Sequence, residues 1–222
     1  MKNFIILFSA LSCTFLSAQS FKFDQEIIFK VKGTQGEGEK KIYINSQDKS
    51  YYFYSNDFGS DKSNCIVDYN TNTSYYLSAD DKKKNEYHYS DANFFIPENR
   101  NRNYAHKFHI SKVNDSTIII KGYKKRNKIF LTAKLVGQKS NADLISLNYY
   151  QTEGLNLSDN SSTILSALGD EKYIIKSLDV VFSGGFNYRQ KLIEIKKQEM
   201  QIDLPEDLQK KLEPLRLMKF SK

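Results

Sequence analysis

The 222-residue chain contains no tryptophan, three prolines, three histidines and two cysteines. Cysteine scarcity excludes a disulfide framework: Cys13 lies in the N-terminal apolar segment, which leaves Cys65 without an intramolecular partner. An exported protein of this kind must be held by its core alone, which is feasible for one domain of roughly 200 residues. Cys65 sits in Cys65-Ile66-Val67 and reads as a small buried hydrophobe on a strand. The histidines are His88, His106 and His109. Side chains alternate along a strand, so positions 106 and 109 point to opposite faces and no metal site is expected. A Gly-x-Ser-x-Gly elbow is also absent, and no nucleophile with a neighbouring base stands out. After the N-terminus there is no apolar run of the roughly 18 residues that a membrane-crossing helix needs.

What is present begins with Lys2, followed by Phe4 to Phe8, Ala10, Leu11, Phe15 and Leu16, with Ser17-Ala18 ahead of Gln19. A positive residue, an apolar run and small residues, in that order, make a cleavable signal peptide the expectation for residues 1–18. Leu16 is larger than the residue usual at its place before the cut. Residues 19–222 are then a single exported domain, periplasmic or extracellular, without repeat or composition break. A variant reading uses Ala10-Leu11-Ser12-Cys13 as a lipobox that would anchor the protein through Cys13. Ala10 stands where leucine is expected and the apolar run continues past Cys13, which makes the free form the expectation.

The net charge is +7; residues 1–18 carry Lys2 as their one charged residue, and without it 32 basic and 26 acidic residues leave +6. Acids interleave with the lysines along most of the chain, so a solvated surface is expected and nucleic acid is not an expected partner.

The dominant hydrophobic period is two. Phe21, Phe23 and Ile27 to Val31 open a long strand, followed by strands at Ile42 to Ile44, Tyr51 to Tyr54, Cys65 to Tyr69, Tyr75 to Leu77 and Tyr87 to Tyr89. Pro97 to Asn103 reads as a surface connection. Further strands are expected at Tyr104 to Val113, Thr117 to Tyr123, Lys128 to Val136, Leu144 to Tyr149, Tyr173 to Phe182 and Gln190 to Ile202. Short strands separated by turn residues predict a mainly β protein, a curved antiparallel meander sheet or half-barrel with one or two short covering helices. One helix is expected over Ser162 to Gly169, with glycine at its end. A second is expected near the C-terminus, where Asp203 would cap, Pro205 would occupy an early position, Leu204, Leu208, Leu212 and Leu215 would share a face, and Pro214 would limit it.

Four features invite functional readings. Gly33, Gly36 and Gly38 superficially resemble a phosphate loop, but their spacing is wrong and a strand follows, so a flexible hairpin is expected. Asp80-Asp81 and Asp115 read as ordinary surface acids. Lys121, Lys124, Lys125, Arg126 and Lys128 crowd one hairpin between apolar strands. They would attract a phosphate-bearing surface, although a gatekeeper turn guarding those strands from aggregation is the expectation. The sequons at Asn72, Asn114, Asn156 and Asn160 read mostly as turn residues. No catalytic residue, ligand-binding residue or cofactor is assigned.

The hairpin Ile66-Val67-Asp68-Tyr69-Asn70-Thr71-Asn72-Thr73-Ser74-Tyr75-Tyr76-Leu77 resembles those of exported lipoprotein-carrier-like proteins, the LolA-like superfamily and related envelope families. The order of leader, long strands and short covering helices is similar too. The resemblance implies an incomplete antiparallel barrel whose apolar concavity holds acyl chains. The expectation is a non-enzymatic envelope protein binding a lipid, lipoprotein or other apolar ligand. The alternative is a structural or interaction subunit of an envelope complex, and an enzyme is the least expected.

Overall fold

A computed structural model of the chain describes residues 19–34, 36–58, 61–80, 86–94, 105, 107–140, 161–169 and 172–220. The expected signal peptide and Cys13, the connection at Pro97 to Asn103, Leu144 to Tyr149, His106, Asp81, Asn156 and Asn160 lie outside these residues.

Six strands come first: β1 (Ser20–Gly33), β2 (Gly36–Ile44), β3 (Tyr51–Phe58), β4 (Asp61–Asp68), β5 (Thr73–Ala79) and β6 (Tyr87–Phe94). Five follow: β7 (Lys107–Asn114), β8 (Thr117–Tyr123), β9 (Ile129–Lys139), β10 (Tyr173–Phe182) and β11 (Asn187–Asp203). The helix α1 (Ser161–Leu168) precedes β10, and α2 (Leu208–Phe220) follows β11. All eleven strands form one sheet in the order β6-β5-β4-β3-β2-β1-β11-β10-β9-β8-β7, and every pairing is antiparallel. Two meanders therefore meet where β1 pairs with β11, and the sheet stays open between β6 and β7. This is the expected unclosed meander with two short helices.

The sheet curls. Phe58 on β3 and Tyr188 on β11 are three strand steps apart, about 14 Å in a flat sheet, yet their rings meet edge to face with centroids 6.1 Å apart. Glycine makes the approach possible. A Cβ on Gly33 would lie 2.5 Å from the Asn187 carbonyl oxygen and 3.3 Å from the Phe58 ring. At Gly38 a Cβ would lie 1.9 Å from the Asp57 carbonyl oxygen. The glycine cluster thus lets neighbouring strands close up, and Gly36 takes the hairpin turn at φ 135°. Gly38→Ala is expected to cost more than about 1 kcal/mol, whereas Gly184→Ala, with nothing within 4 Å of the added methyl, stays within about 0.5 kcal/mol. Paired thermal melts check both.

Alternation along the strands buries two cores, one on each face of the sheet. The first gathers Ile27, Phe29, Ile42, Ile120, Leu131 and Leu178 with Ile164 and Leu168 of α1. The second gathers Phe21, Phe23, Tyr43, Phe53, Ile66 and Tyr75 with Leu208 and Leu212 of α2. A register shift between Phe23 and Gln25 switches β1 from one to the other. Odd residues before it enter the second core and odd residues after it the first. Asp24 at the shift accepts from the Ser46 amide, 2.8 Å, and from its hydroxyl.

Gly169 ends α1 with φ 106°, as expected of a glycine stop. The C-terminal helix differs from expectation. Asp203 is the last residue of β11 and accepts from Gln201. Pro205 sits in a turn whose carbonyl accepts from the Leu208 amide at 3.0 Å, so α2 starts three residues later. Pro214 lies inside α2 without ending it, removing one backbone donor while the helix continues to Phe220. The stripe reaching the sheet stops at Leu212, because Leu215 is 53% exposed.

Candidate functional site

The inner face of the curl belongs to the first core. On β11, Tyr188, Gln190 and Leu192 alternate onto it. Register sets Gln190 between Val31 of β1 and Leu178 of β10, both fully buried aliphatic side chains. Gln190 itself is 1% exposed. Its Oε1 accepts from the Tyr188 hydroxyl at 2.7 Å, while its Nε2 has no hydrogen-bond partner among the described residues. An amide left unsatisfied in apolar surroundings costs roughly 1–3 kcal/mol. Burial holds the Tyr188 hydroxyl well above the ordinary tyrosine range, so it stays a neutral donor. Phe58, Phe130, Phe182 and Phe186 pack around this end of the face. Tyr52, Tyr54 and Tyr69 line it further along, with Tyr52 and Tyr69 rings 6.3 Å apart. Sequence reasoning missed Gln190. The available signal was a polar residue occupying an inward position in Tyr188-x-Gln190-x-Leu192.

The outer face buries the carboxylates of Glu26 and Asp68. Glu26 accepts from the Tyr43 hydroxyl at 2.8 Å and pairs with Lys196 Nζ at 2.7 Å. Both partners are its direct cross-strand neighbours. Burial, then the bond to Glu26, pushes Tyr43 far above the ordinary tyrosine range. Each carboxylate oxygen is engaged, so this trio ties three strands together and presents no free base.

Cys65 is buried on β4. Burial pushes its thiol up to about 11, against opposing hydrogen bonds with Tyr54 and Ser74. A protonated thiol at neutral pH is a poor nucleophile, in keeping with its structural reading. His109 is exposed and its Nδ1 lies 3.2 Å from the Ser111 hydroxyl. His88 stands differently. The β5–β6 pairing brings ligand atoms of Asp80, Glu86 and His88 within 4.8 Å of one another, a juxtaposition the sequence reading did not anticipate. Ser78 faces His88 in register, the Asp80 amide bonds the Glu86 carbonyl at 2.9 Å, and His88 Nε2 lies 3.6 Å from Asp80 Oδ2. The hairpin itself accounts for this proximity without an ion.

Asp115 is an exposed acid paired with Lys112 at 2.9 Å, and that pair lowers its pKa. Asn72 adopts φ 50° in the β4–β5 turn, and Asn114 Oδ1 accepts from the Ser116 amide, so both described sequons are turn residues. The turn between β4 and β5 is closed by buried Asp68, which accepts from the Asn70 amide and the Thr71 hydroxyl and, at 3.1 Å, from Gln19. Among the described residues no helix is long and apolar enough to cross a membrane. No protein-family model and no curated protein matches the chain.

Proposed function

We propose that this is a non-enzymatic binding protein of the cell envelope that accommodates a lipid, a lipoprotein acyl group or another apolar ligand against the inner face of its half-barrel. The observation that carries this reading is the amide of Gln190, whose Nε2 has no partner among the described residues and is buried among aliphatic and aromatic side chains at a curled, unclosed sheet. A long apolar ligand would match that lining. A carbonyl or carboxylate oxygen on it would accept from Nε2 and recover the cost of the unsatisfied donor. The leader-like residues 1–18 support the compartment.

The test begins with mass spectrometry of lipid extracted from the purified protein, followed by titration with oleate and with a plain hydrocarbon of equal length. Bound acyl chains and saturable oleate uptake are expected. Gln190→Leu is expected to weaken oleate about tenfold, the worth of one hydrogen bond to a charged group, and to leave the hydrocarbon unchanged. Lipid-free protein that takes up neither probe would sink the reading.

The alternative of an interaction subunit rests on the exposed Leu217 of α2 and Ile193 of β11. It is favoured if Leu217→Ser abolishes capture of a defined envelope partner while oleate uptake is absent.

A further inference from the structure

We infer that the turn between β8 and β9 is the surface by which the protein rests on an anionic lipid leaflet. This goes beyond the binding reading and stands whether or not the inner face holds a ligand. Between Asp115 and Asp143 the chain has no acidic residue and seven lysines and arginines, four of them within Lys124 to Lys128. Several cations elsewhere sit beside acids: Lys30 and Lys32 pair with Glu37, Lys112 with Asp115, Arg189 with Asp179 and Lys196 with Glu26. Lys124, Lys125, Arg126 and Lys128 are all exposed, and none has an ion-pair partner among the described residues.

The turn has a defined form. Lys125–Asn127 makes one 3-10 turn, Arg126 and Asn127 have φ of 64° and 54°, and the Lys124 amide donates to the Lys128 carbonyl at 2.9 Å. Apolar groups lie directly beneath the charges. Lys124 Nζ stands 4.1 Å from the Phe130 ring centre. Phe130 packs edge to face on Phe182, and Phe182 lies tilted against Phe186, each pair with ring centres 5.4 Å apart. Ile129, next to Lys128, is 49% exposed. The neighbouring turn from Ser183 to Phe186 bears no charge, and its Ser183 amide joins the Phe130 carbonyl at 2.9 Å.

The gatekeeper reading loses its purpose in this topology. β8 is paired with β7 and β9, and β9 with β8 and β10, so the turn guards no free strand edge. Cations backed by an exposed aliphatic side chain suit a leaflet, where phosphate meets the first methylenes. A single-stranded nucleic acid would require exposed aromatic faces for stacking, and the phenylalanines here are turned onto one another.

Sedimentation of the purified full chain with phosphatidylcholine vesicles, with and without phosphatidylglycerol, tests the inference. Binding is expected only to the anionic vesicles, weakening as salt rises. K125E/R126E is expected to lower the partition coefficient about tenfold or more. K172E/K176E, of equal net charge but on exposed residues of other segments, is expected to change it less than about threefold. Ile129→Ser is expected to weaken the binding that persists at high salt. Far-UV circular dichroism verifies folding, and K125Q/R126Q replaces the reversal should it misfold. The inference is overturned if anionic vesicles fail to bind, if the two double variants lose equally, or if heparin competes through residues other than this turn.

Discussion

Phe53→Ala is expected to lose about 4 kcal/mol of stability, lowering the melting temperature by roughly 10 °C. Phe53 is fully buried at the centre of the second core. Its ring stacks on Tyr43 at 5.2 Å, meets Tyr87 edge to face at 4.8 Å and contacts Phe23 at 6.1 Å. Tyr43 is also the donor to Glu26, so a cavity here would loosen the ring that satisfies the buried carboxylate. The surrounding aromatics belong to strands fixed in register on both sides of β3, which limits collapse into the void. Val113→Ala, at an exposed position of β7, should remain within about 0.5 kcal/mol. Chemical denaturation of both variants decides the matter. A Phe53→Ala loss as small as the Val113 one would mean that the outer face is not a true core.

Alkaline conditions are expected to lower the stability of the fold progressively. Burial holds the Cys65 proton up to about pH 11 and raises Tyr52 and Tyr188 above their ordinary range. All three groups gain charge on losing a proton. The unfolded chain releases the thiol proton at its ordinary value, near 9, while the folded chain retains it. The stabilisation is therefore fully present below about pH 9 and is lost as pH rises through 11, with Cys65 accounting for roughly 3 kcal/mol. The tyrosines add a further loss beginning near pH 10. Urea unfolding followed by circular dichroism at pH 8, 10 and 11 would show this decline. Cys65→Ala removes a buried sulfur, so its absolute stability drops, but its slope between pH 9 and 10 should flatten. An unchanged slope would show that the thiol is not held in its protonated form by the fold.

Much of the architecture was legible because the side-chain period of a strand is geometric. Leu131, Ala133 and Leu135 alternate cleanly onto the first core, and Gly169 marks the helix stop where its sequence position says it should. The second core was legible only in disguise. Ile27-Ile28-Phe29, Ile42-Tyr43-Ile44 and Tyr52-Phe53 are unbroken apolar runs, the mark of strands covered on both faces. Reading them as strands was right, yet reading one buried face missed half of what holds the sheet. The phase change at Asp24 depends on pairing with β11, a partner far along the chain, and local pattern does not carry it. Pro214 argued for a helix end on local chemistry, but a single missing donor was not enough to stop the helix. The Gln190 amide is unmatched only because Val31 and Leu178 flank it, and that juxtaposition exists only after the strands are aligned. The cluster of Asp80, Glu86 and His88 likewise follows from hairpin register.

The pairing of β1 with β11 places Ser20 opposite Asp203, so the two halves of the sheet are sewn together by the first and last of the described strands. Every other neighbouring pair is consecutive in the chain and can form with a modest loss of loop entropy. This central seam alone joins strands far apart in the chain and must await synthesis of β11, so until it forms each half keeps an unpaired strand at its border.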